Sequence, residues 1–282
     1  MTVILGVLNV TPDSFSDGGE HLAVADALAH ARVLRAAGAD LVDVGGESTR
    51  PGADRVPTEL EQARVVPVIA ALTAEGIATS VDTMNAATAL AAVAAGASLI
   101  NDVSGGLADP AMPEAMARAG VDVVAMHWRG HSSGMEDLAR YGDVVADVRD
   151  ELAGRVAALT SAGVARERII LDPGLGFAKT PEHNWALVRR LDEITALGLR
   201  VLVGASRKRF LRELAASVAA APAEPAAAEP AAADRWRLPD VATATTSVLA
   251  AQGGAWGVRV HDVAATRVAL ATAAAWQRGS IA

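Results

Sequence analysis

The stretch Ala36-Ala37-Gly38-Ala39-Asp40-Leu41-Val42-Asp43-Val44-Gly45-Gly46-Glu47 contains the unit from which the chain is built. An Ala-rich helical end stops at Gly38, a residue suited to the left-handed turn just past a helix. Leu41-Val42-Asp43-Val44 follows as a short, mostly apolar run of strand length. Gly45-Gly46-Glu47 then forms a polar tip. The same order recurs along the sequence. Gly76 precedes Ile77–Val81 and Asp82, and Gly96 precedes Ser98–Ile100 and Asn101-Asp102. Gly120 precedes Val121–Met126 and His127, and Gly163 comes before Arg168–Leu171 and Asp172-Pro173-Gly174. Gly198 precedes Leu199–Val203 and Ser206-Arg207-Lys208, and Gly253-Gly254 precedes Gly257–Val260 and His261-Asp262. With an opening strand over Val3–Leu8, this gives eight strands alternating with helices.

Eight such units in 282 residues favour a closed parallel barrel of the TIM-type (β/α)8 class over an open doubly wound sheet. An open sheet would more naturally carry a nucleotide-binding glycine fingerprint after its first strand, and none is present. We expect a single domain over 1–282. Helix starts are expected at a capping box of Thr58 with Glu61, and at Asp109-Pro110 and Thr180-Pro181, where a cap precedes a first-turn proline. Val24, Leu28, Ala31 and Leu34 give one helix its buried stripe. One segment breaks the pattern. From about 215 to 233 the chain is an Ala/Pro/Glu run without large apolar residues after Val218, read as an insertion on the active-site face with no catalytic role.

Composition narrows the function. The chain has no cysteine, which excludes disulfides, thiolate metal sites and cysteine nucleophiles and suits the cytoplasm. A net charge of −8 argues against non-specific nucleic-acid binding. No signal segment or membrane span is expected, since the long apolar stretches are Ala-rich and interrupted. The strand exits carry Asn9, Glu47, Asp82, Asn101, His127, Asp172, Lys208, Arg259 and His261. Parallel strands bring these exits to one face, where barrel enzymes keep their active sites. Any one residue could be a helix cap; a ring of hydrogen-bonding groups is harder to explain that way.

The first loop, Asn9-Val10-Thr11-Pro12-Asp13-Ser14-Phe15-Ser16-Asp17-Gly18-Gly19, closely resembles the signature loop of dihydropteroate synthases. The resemblance continues through Gly45–Gly52, Val81-Asp82-Thr83, Ile100-Asn101-Asp102, Asp172–Phe177, Ser206-Arg207-Lys208 and Arg259-Val260-His261-Asp262. It covers nearly the whole chain except the insertion. Such enzymes join 6-hydroxymethyl-7,8-dihydropterin diphosphate to p-aminobenzoate, releasing pyrophosphate. The resemblance implies a transferase with Asp172, Asp82 and Asn101 on the pterin, and Lys208 donating to the ring carbonyl and a neighbouring nitrogen. A carboxylate suits the pterin edge that presents an amino group and a ring N–H. Arg259 and His261 are expected at the diphosphate, Arg259 through its planar fork or by stacking on the ring. Asn9 is expected at a Mg²⁺ that keeps mostly water and diphosphate oxygens. Asp17 would stabilise a cationic methylene after pyrophosphate leaves, and Phe15, Thr49, Arg50 and Pro51 would wall the p-aminobenzoate. A homodimer is also implied.

Departures from the family pattern are Trp128 after His127, and Arg209 where many relatives carry Ser near the aminobenzoate carboxylate. Three other readings share parts of the pattern: a pterin-dependent methyltransferase barrel, an aldolase-like barrel with Lys208 as a Schiff-base lysine, and a pterin-binding paralogue without turnover. The first would not need the Asn9–Gly19 loop. For the second, Lys208 beside two arginines is expected to be poorly desolvated.

Overall fold

The structure, a computed structural model, describes residues 2–11, 20–47, 55–131, 134–219 and 237–280. Its strands are β1 (Val3–Asn9), β2 (Leu41–Gly45), β3 (Thr79–Asp82), β4 (Leu99–Asp102), β5 (Asp122–Met126), β6 (Ile169–Asp172), β7 (Arg200–Val203) and β8 (Gly257–Val260). They pair in parallel in sequence order, and β8 closes on β1, with Leu5 opposite Arg259 and Leu41. The helices are α1 (Glu20–Ala36), α2 (Thr58–Ala74), α3 (Ala86–Ala94), α4 (Met112–Ala119), α5 (Val144–Ser161), α6 (Pro181–Arg189), α7 (Leu191–Thr195), α8 (Arg209–Ala219), α9 (Leu238–Gln252) and α10 (Val263–Arg278). This is the expected (β/α)8 barrel. The glycines that end the helical segments, Gly38, Gly76, Gly96, Gly120, Gly163, Gly198 and Gly254, all have positive φ, from 64° to 112°. No described helix is long and apolar enough to cross a membrane.

Side-chain alternation sorts each strand into two sets. Outward residues such as Ile4, Val42, Val44, Val81, Ile100 and Leu171 pack under the helices in the main core. Inside the barrel, Leu5, Leu99, Val124, Ile170 and Leu202 form a separate apolar plug, with Leu41 against it. Two residues further along the strands the interior turns polar. Leu41 is followed by Asp43, Leu99 by Asn101 and Ile170 by Asp172, and all three polar groups are buried. The plug therefore floors a charged layer at the carboxyl ends of the strands. On the outer side, α1 buries Ala27, Ala31 and Leu34, with Val24 and Leu28 partly covered, as its stripe predicts.

Two expected helix starts are corrected. Thr58 and Glu61 form no capping box: Pro57 occupies the N-cap and no side chain caps α2. The Glu61 carboxylate instead accepts from Thr83 Oγ1 at 2.6 Å and Thr88 Oγ1 at 2.7 Å, tying α2 to the exit of β3 and to α3. Asp109 is not the N-cap of α4, which is Ala111; its carboxylate accepts from the backbone N–H of Ala86 at 2.9 Å and of Ala111 at 2.9 Å. Thr180 does cap α6, reciprocally with His183. The first residues of the expected insertion, 215–219, are the end of α8, and the rest of it lies outside the described residues.

Candidate active site

Arg259 stands at the centre of the charged layer. Its Nε donates to Asp43 Oδ2 at 2.6 Å and its Nη2 to Asp82 Oδ2 at 2.7 Å. Asn101 Nδ2 donates to the same Asp43 oxygen at 3.0 Å. Burial works against the Arg259 charge, but Asp43 and Asp82 outweigh it and hold the guanidinium firmly protonated. Asp82 is pushed up to about 7, by burial first and by repulsion from Asp43, against the attraction of Arg259. One cation is shared by two buried carboxylates, so its presence does not keep Asp82 in the ordinary carboxylate range. The arrangement also narrows an expectation. The Nε–Nη2 edge of the Arg259 fork is engaged with carboxylates, which leaves Nη1 and the flat face of the guanidinium for a ligand.

Asp172 ends β6 and is buried. Its Oδ1 accepts from Gly174 N–H at 2.7 Å, and burial raises its pKa against the pull of Lys208 and that hydrogen bond. A Cβ built on Gly204 would lie 3.5 Å from Asp172 Oδ2, so the glycine keeps that side of the carboxylate clear of side chain. Gly174 has φ +67°, and a Cβ there would overlap the His127 carbonyl oxygen. That glycine lets the chain turn tightly enough to present the Asp172 carboxylate.

Lys208 corrects an expectation. Rather than being poorly desolvated, it is pushed down to about 8 by burial, with Arg259 adding repulsion and Asp172 opposing. The two arginines beside it in sequence turn away: Arg207 pairs with Asp240, and Arg209 opens α8 and pairs with Glu213 at 3.7 Å. The Lys208 ammonium donates to the Leu175 carbonyl and lies 4.3 Å from the Phe177 ring centroid. Gly176 makes room for its stem, since a Cβ there would come within 2.7 Å of Lys208 Cδ.

Behind this layer lies a fully buried cation, Lys179, to which no role was assigned from sequence. Its ammonium is 2.9 Å from His127 Nδ1 and donates to the Phe177 carbonyl at 3.0 Å. Burial, with repulsion from Lys208, lowers Lys179 to about 7. His127 is lowered to about 2, by burial and then by Lys179 and Arg129. Its neutral tautomer with the proton on Nε2 satisfies both contacts: Nδ1 accepts from Lys179, and Nε2 donates to Glu151 at 2.9 Å. His127 thus braces the β6–α6 loop from behind. Trp128 packs edge-on against His131, with ring centroids 5.0 Å apart.

His261 sits just past β8, where Ser206 Oγ accepts from its backbone N–H at 3.1 Å and lies 2.9 Å from its Nδ1. Asn9 ends β1 opposite Gly45, and a Cβ built on Gly45 would meet Asp82 on one side and Asn9 Oδ1 at 3.7 Å on the other. Glu47 pairs with Arg55 at 2.9 Å. Asp102 turns away from the barrel to hold the N–H groups of Ser104 and Gly106, and Asp262 caps α10 through Ala265 N–H. Asp82, Asn101, Asp172, Lys208 and Arg259 are thus brought together in one layer, with Asn9 and His261 at strand exits on the same face. Phe15, Asp17, Thr49, Arg50 and Pro51 lie outside the described residues. Asp43 was missed as a site residue, although a carboxylate two positions past Leu41 in an apolar strand was its signal.

A layer of paired acceptors with an adjacent half-buried ammonium suits a flat heterocycle that has donors on one edge and acceptors on another. The comparisons agree. The family described as pterin binding enzyme matches residues 5–261. The dihydropteroate synthase of Mycobacterium leprae is 50% identical over 274 residues, 97% of this chain and 93% of that protein. That of Escherichia coli K12 is 40% identical over 264 residues, 93% of this chain and 87% of that protein. Among solved structures, Xanthomonas albilineans dihydropteroate synthase with 4-aminobenzoic acid superposes with a TM-score of 0.84 at 42% identity, covering 99% of this chain and 93% of the other. The same enzyme in complex with 7,8-dihydropteroate gives 0.81 at 40% identity, with the same coverage. On the fold, the charged layer and these likenesses together, the chain belongs to the dihydropteroate synthase family of pterin binding enzymes.

Proposed function

We propose that the protein condenses 6-hydroxymethyl-7,8-dihydropterin diphosphate with p-aminobenzoate, giving 7,8-dihydropteroate and pyrophosphate. The observation that carries this reading is the buried carboxylate of Asp172 beside the Lys208 ammonium. Asp172 would accept from the amino group and ring N–H of the pterin, and Lys208 would donate to the ring carbonyl and neighbouring nitrogen. Asp82 and Asn101 would read further polar positions of the ring. A pterin analogue without those donors would leave buried acceptors unpaired and be rejected. Arg259, held flat by Asp43 and Asp82, would stack on the ring and present Nη1 toward the diphosphate.

Loss of pyrophosphate first, leaving a cationic methylene conjugated with the pterin, suits this site. The leaving group would be held by His261 and Arg259, and the cation stabilised by Asp17. The p-aminobenzoate nitrogen, walled by Phe15, Thr49, Arg50 and Pro51, then attacks the methylene and gives up a proton. Among the described residues no three His, Asp or Glu side chains cluster closely enough to hold a metal ion. Mg²⁺ would be held by the Asn9 carboxamide oxygen together with water and the diphosphate oxygens. When bound it would neutralise charge on the leaving group.

We further propose that the protein works in the cytoplasm as a homodimer. Val241 and Leu249 on α9, and Val268 and Trp276 on α10, are exposed on two helices packed against each other. An apolar face of this kind suits a second copy of the chain. Pyrophosphate release from the purified protein, measured with each substrate alone and with both, tests the reaction. Release that needs both substrates is the expected result; no release with both, from protein that binds the pterin, would overturn it.

A further inference from the structure

Only two non-glycine residues among the described ones have positive φ, Ala178 at 48° and Arg207 at 56°. Each immediately precedes a lysine of the site region, the buried Lys179 and the half-buried Lys208. A non-glycine residue in the left-handed region is costly and persists where its surroundings hold it. At Arg207 the holding groups come from α9. Its Nε donates to Asp240 Oδ1 at 2.8 Å and its Nη2 to Asp240 Oδ2 at 2.9 Å, a bidentate pair. Its backbone N–H donates to Thr243 Oγ1 at 3.2 Å, and Thr243 is itself anchored on the Pro239 carbonyl at 2.7 Å. Asp240 is 9% exposed, although it sits in the first turn of an outer helix.

The neighbours of Arg207 face the other way. Ser206 Oγ bridges the His261 backbone N–H and imidazole, and Lys208 reaches the Leu175 carbonyl. An ordinary φ at position 207 would redirect the chain between them, so the two could not both keep these contacts.

We propose that Asp240 is a positioning residue for the reaction: by clamping Arg207 in its left-handed conformation from α9, it sets the direction in which Lys208 and Ser206 face the site. This rests on the role given above to Lys208 toward the pterin. Without the clamp, only a fraction of molecules would hold Lys208 in place, and apparent affinity would fall by that fraction.

Glycine separates conformation from charge, because it adopts positive φ at no steric cost. Calorimetry with the pterin diphosphate, alongside thermal melting, should be run on Arg207→Ala, Arg207→Gly, Asp240→Asn, the Arg207→Gly/Asp240→Asn double variant and Lys208→Met. Arg207→Ala and Asp240→Asn should each weaken pterin binding by roughly tenfold. Arg207→Gly should stay within about threefold of the parent, and Asp240→Asn should add nothing on that background. Equal weakening by Arg207→Gly and Arg207→Ala would overturn the proposal, as would melting temperatures that fall with affinity untouched. If Lys208→Met binds the pterin as the parent does, the role of Lys208 fails and this proposal with it. If Lys208→Met is weak while Arg207→Ala and Asp240→Asn bind normally, the clamp alone is refuted.

Discussion

Replacing Asp43 with Asn tests whether the charged layer acts as one unit. The amide is isosteric, so its oxygen can still accept from Arg259 Nε and Asn101 Nδ2. Two penalties remain. The charge-assisted part of the Arg259 bond is lost, about 1–1.5 kcal/mol. The new NH₂ takes the place of Asp43 Oδ1, which is buried with no hydrogen-bond partner, leaving an unpaired donor at about 1–3 kcal/mol. A gain opposes them. Asp43 repels the Asp82 carboxylate, so its removal lowers the Asp82 pKa from about 7.

The pH dependence follows from that shift. A carboxyl raised from 3.8 to about 7 binds more protons folded than unfolded in that window, so stability falls as pH climbs through it. In Asp43→Asn that fall stops earlier. The variant should be less stable by about 2–4.5 kcal/mol at pH 5, and the deficit at pH 8 should be smaller by about 1.4 kcal/mol for each unit by which Asp82 drops. Urea unfolding at the two pH values measures this. A deficit that is equal at both, or larger at pH 8, would refute the idea that Asp43 and Asp82 compete for the Arg259 charge.

Asp172→Asn should lose about 2–4 kcal/mol of pterin binding with the fold intact, since the amide keeps one acceptor and presents a clashing donor; near-parent affinity by calorimetry would remove Asp172 from the site. Pterin affinity should fall above a pH of about 8 as Lys208 loses its proton, and on the acid side above the ordinary carboxylate range as Asp172 gains one. Lys208→Arg should abolish the alkaline limb alone, and an unchanged limb would assign it elsewhere. Gly174→Ala should destabilise the protein by at least about 2 kcal/mol, from backbone strain and overlap with the His127 carbonyl; unaltered melting would contradict that geometry. p-Aminobenzoate contacts few atoms, so it should bind weakly or undetectably to the free protein and measurably once pterin and Mg-pyrophosphate, or the pterin diphosphate, are present. Equal affinity with and without them would refute the ordered scheme.

The repeating order of helix, glycine, apolar run and polar tip made the barrel legible, because each unit follows from local chain physics. The strand exits were legible for the same reason, since parallel pairing sends every tip to one face. What failed depended on partners distant in sequence. Thr58 and Glu61 have capping-box spacing, but Pro57 takes the N-cap and the hydroxyls of Thr83 and Thr88 draw Glu61 away. Lys208 looked solvated between arginines, yet Arg207 and Arg209 turn away to Asp240 and Glu213 and leave the lysine facing the site. Lys179 carries no signal in its own segment, and only the return of the β6–α6 loop onto His127 buries it. Strand starts shifted by a residue or two because apolar character begins before pairing does, as at Ile77, which precedes β3.

The Arg259 pairings also say something about how the protein comes off the ribosome. Arg259 lies 216 residues after Asp43 and 177 after Asp82. As synthesis proceeds, both acids are made long before their cation. Until β8 arrives, the neighbouring strands β2 and β3 would hold two carboxylates side by side without their cation, an arrangement that repels itself. That repulsion works against burying the two acids before the last strand supplies Arg259. Closure therefore depends on contacts between distant parts of the chain, which places barrel completion late and slow in folding. A nascent chain halted before β8 would be a natural client for chaperones.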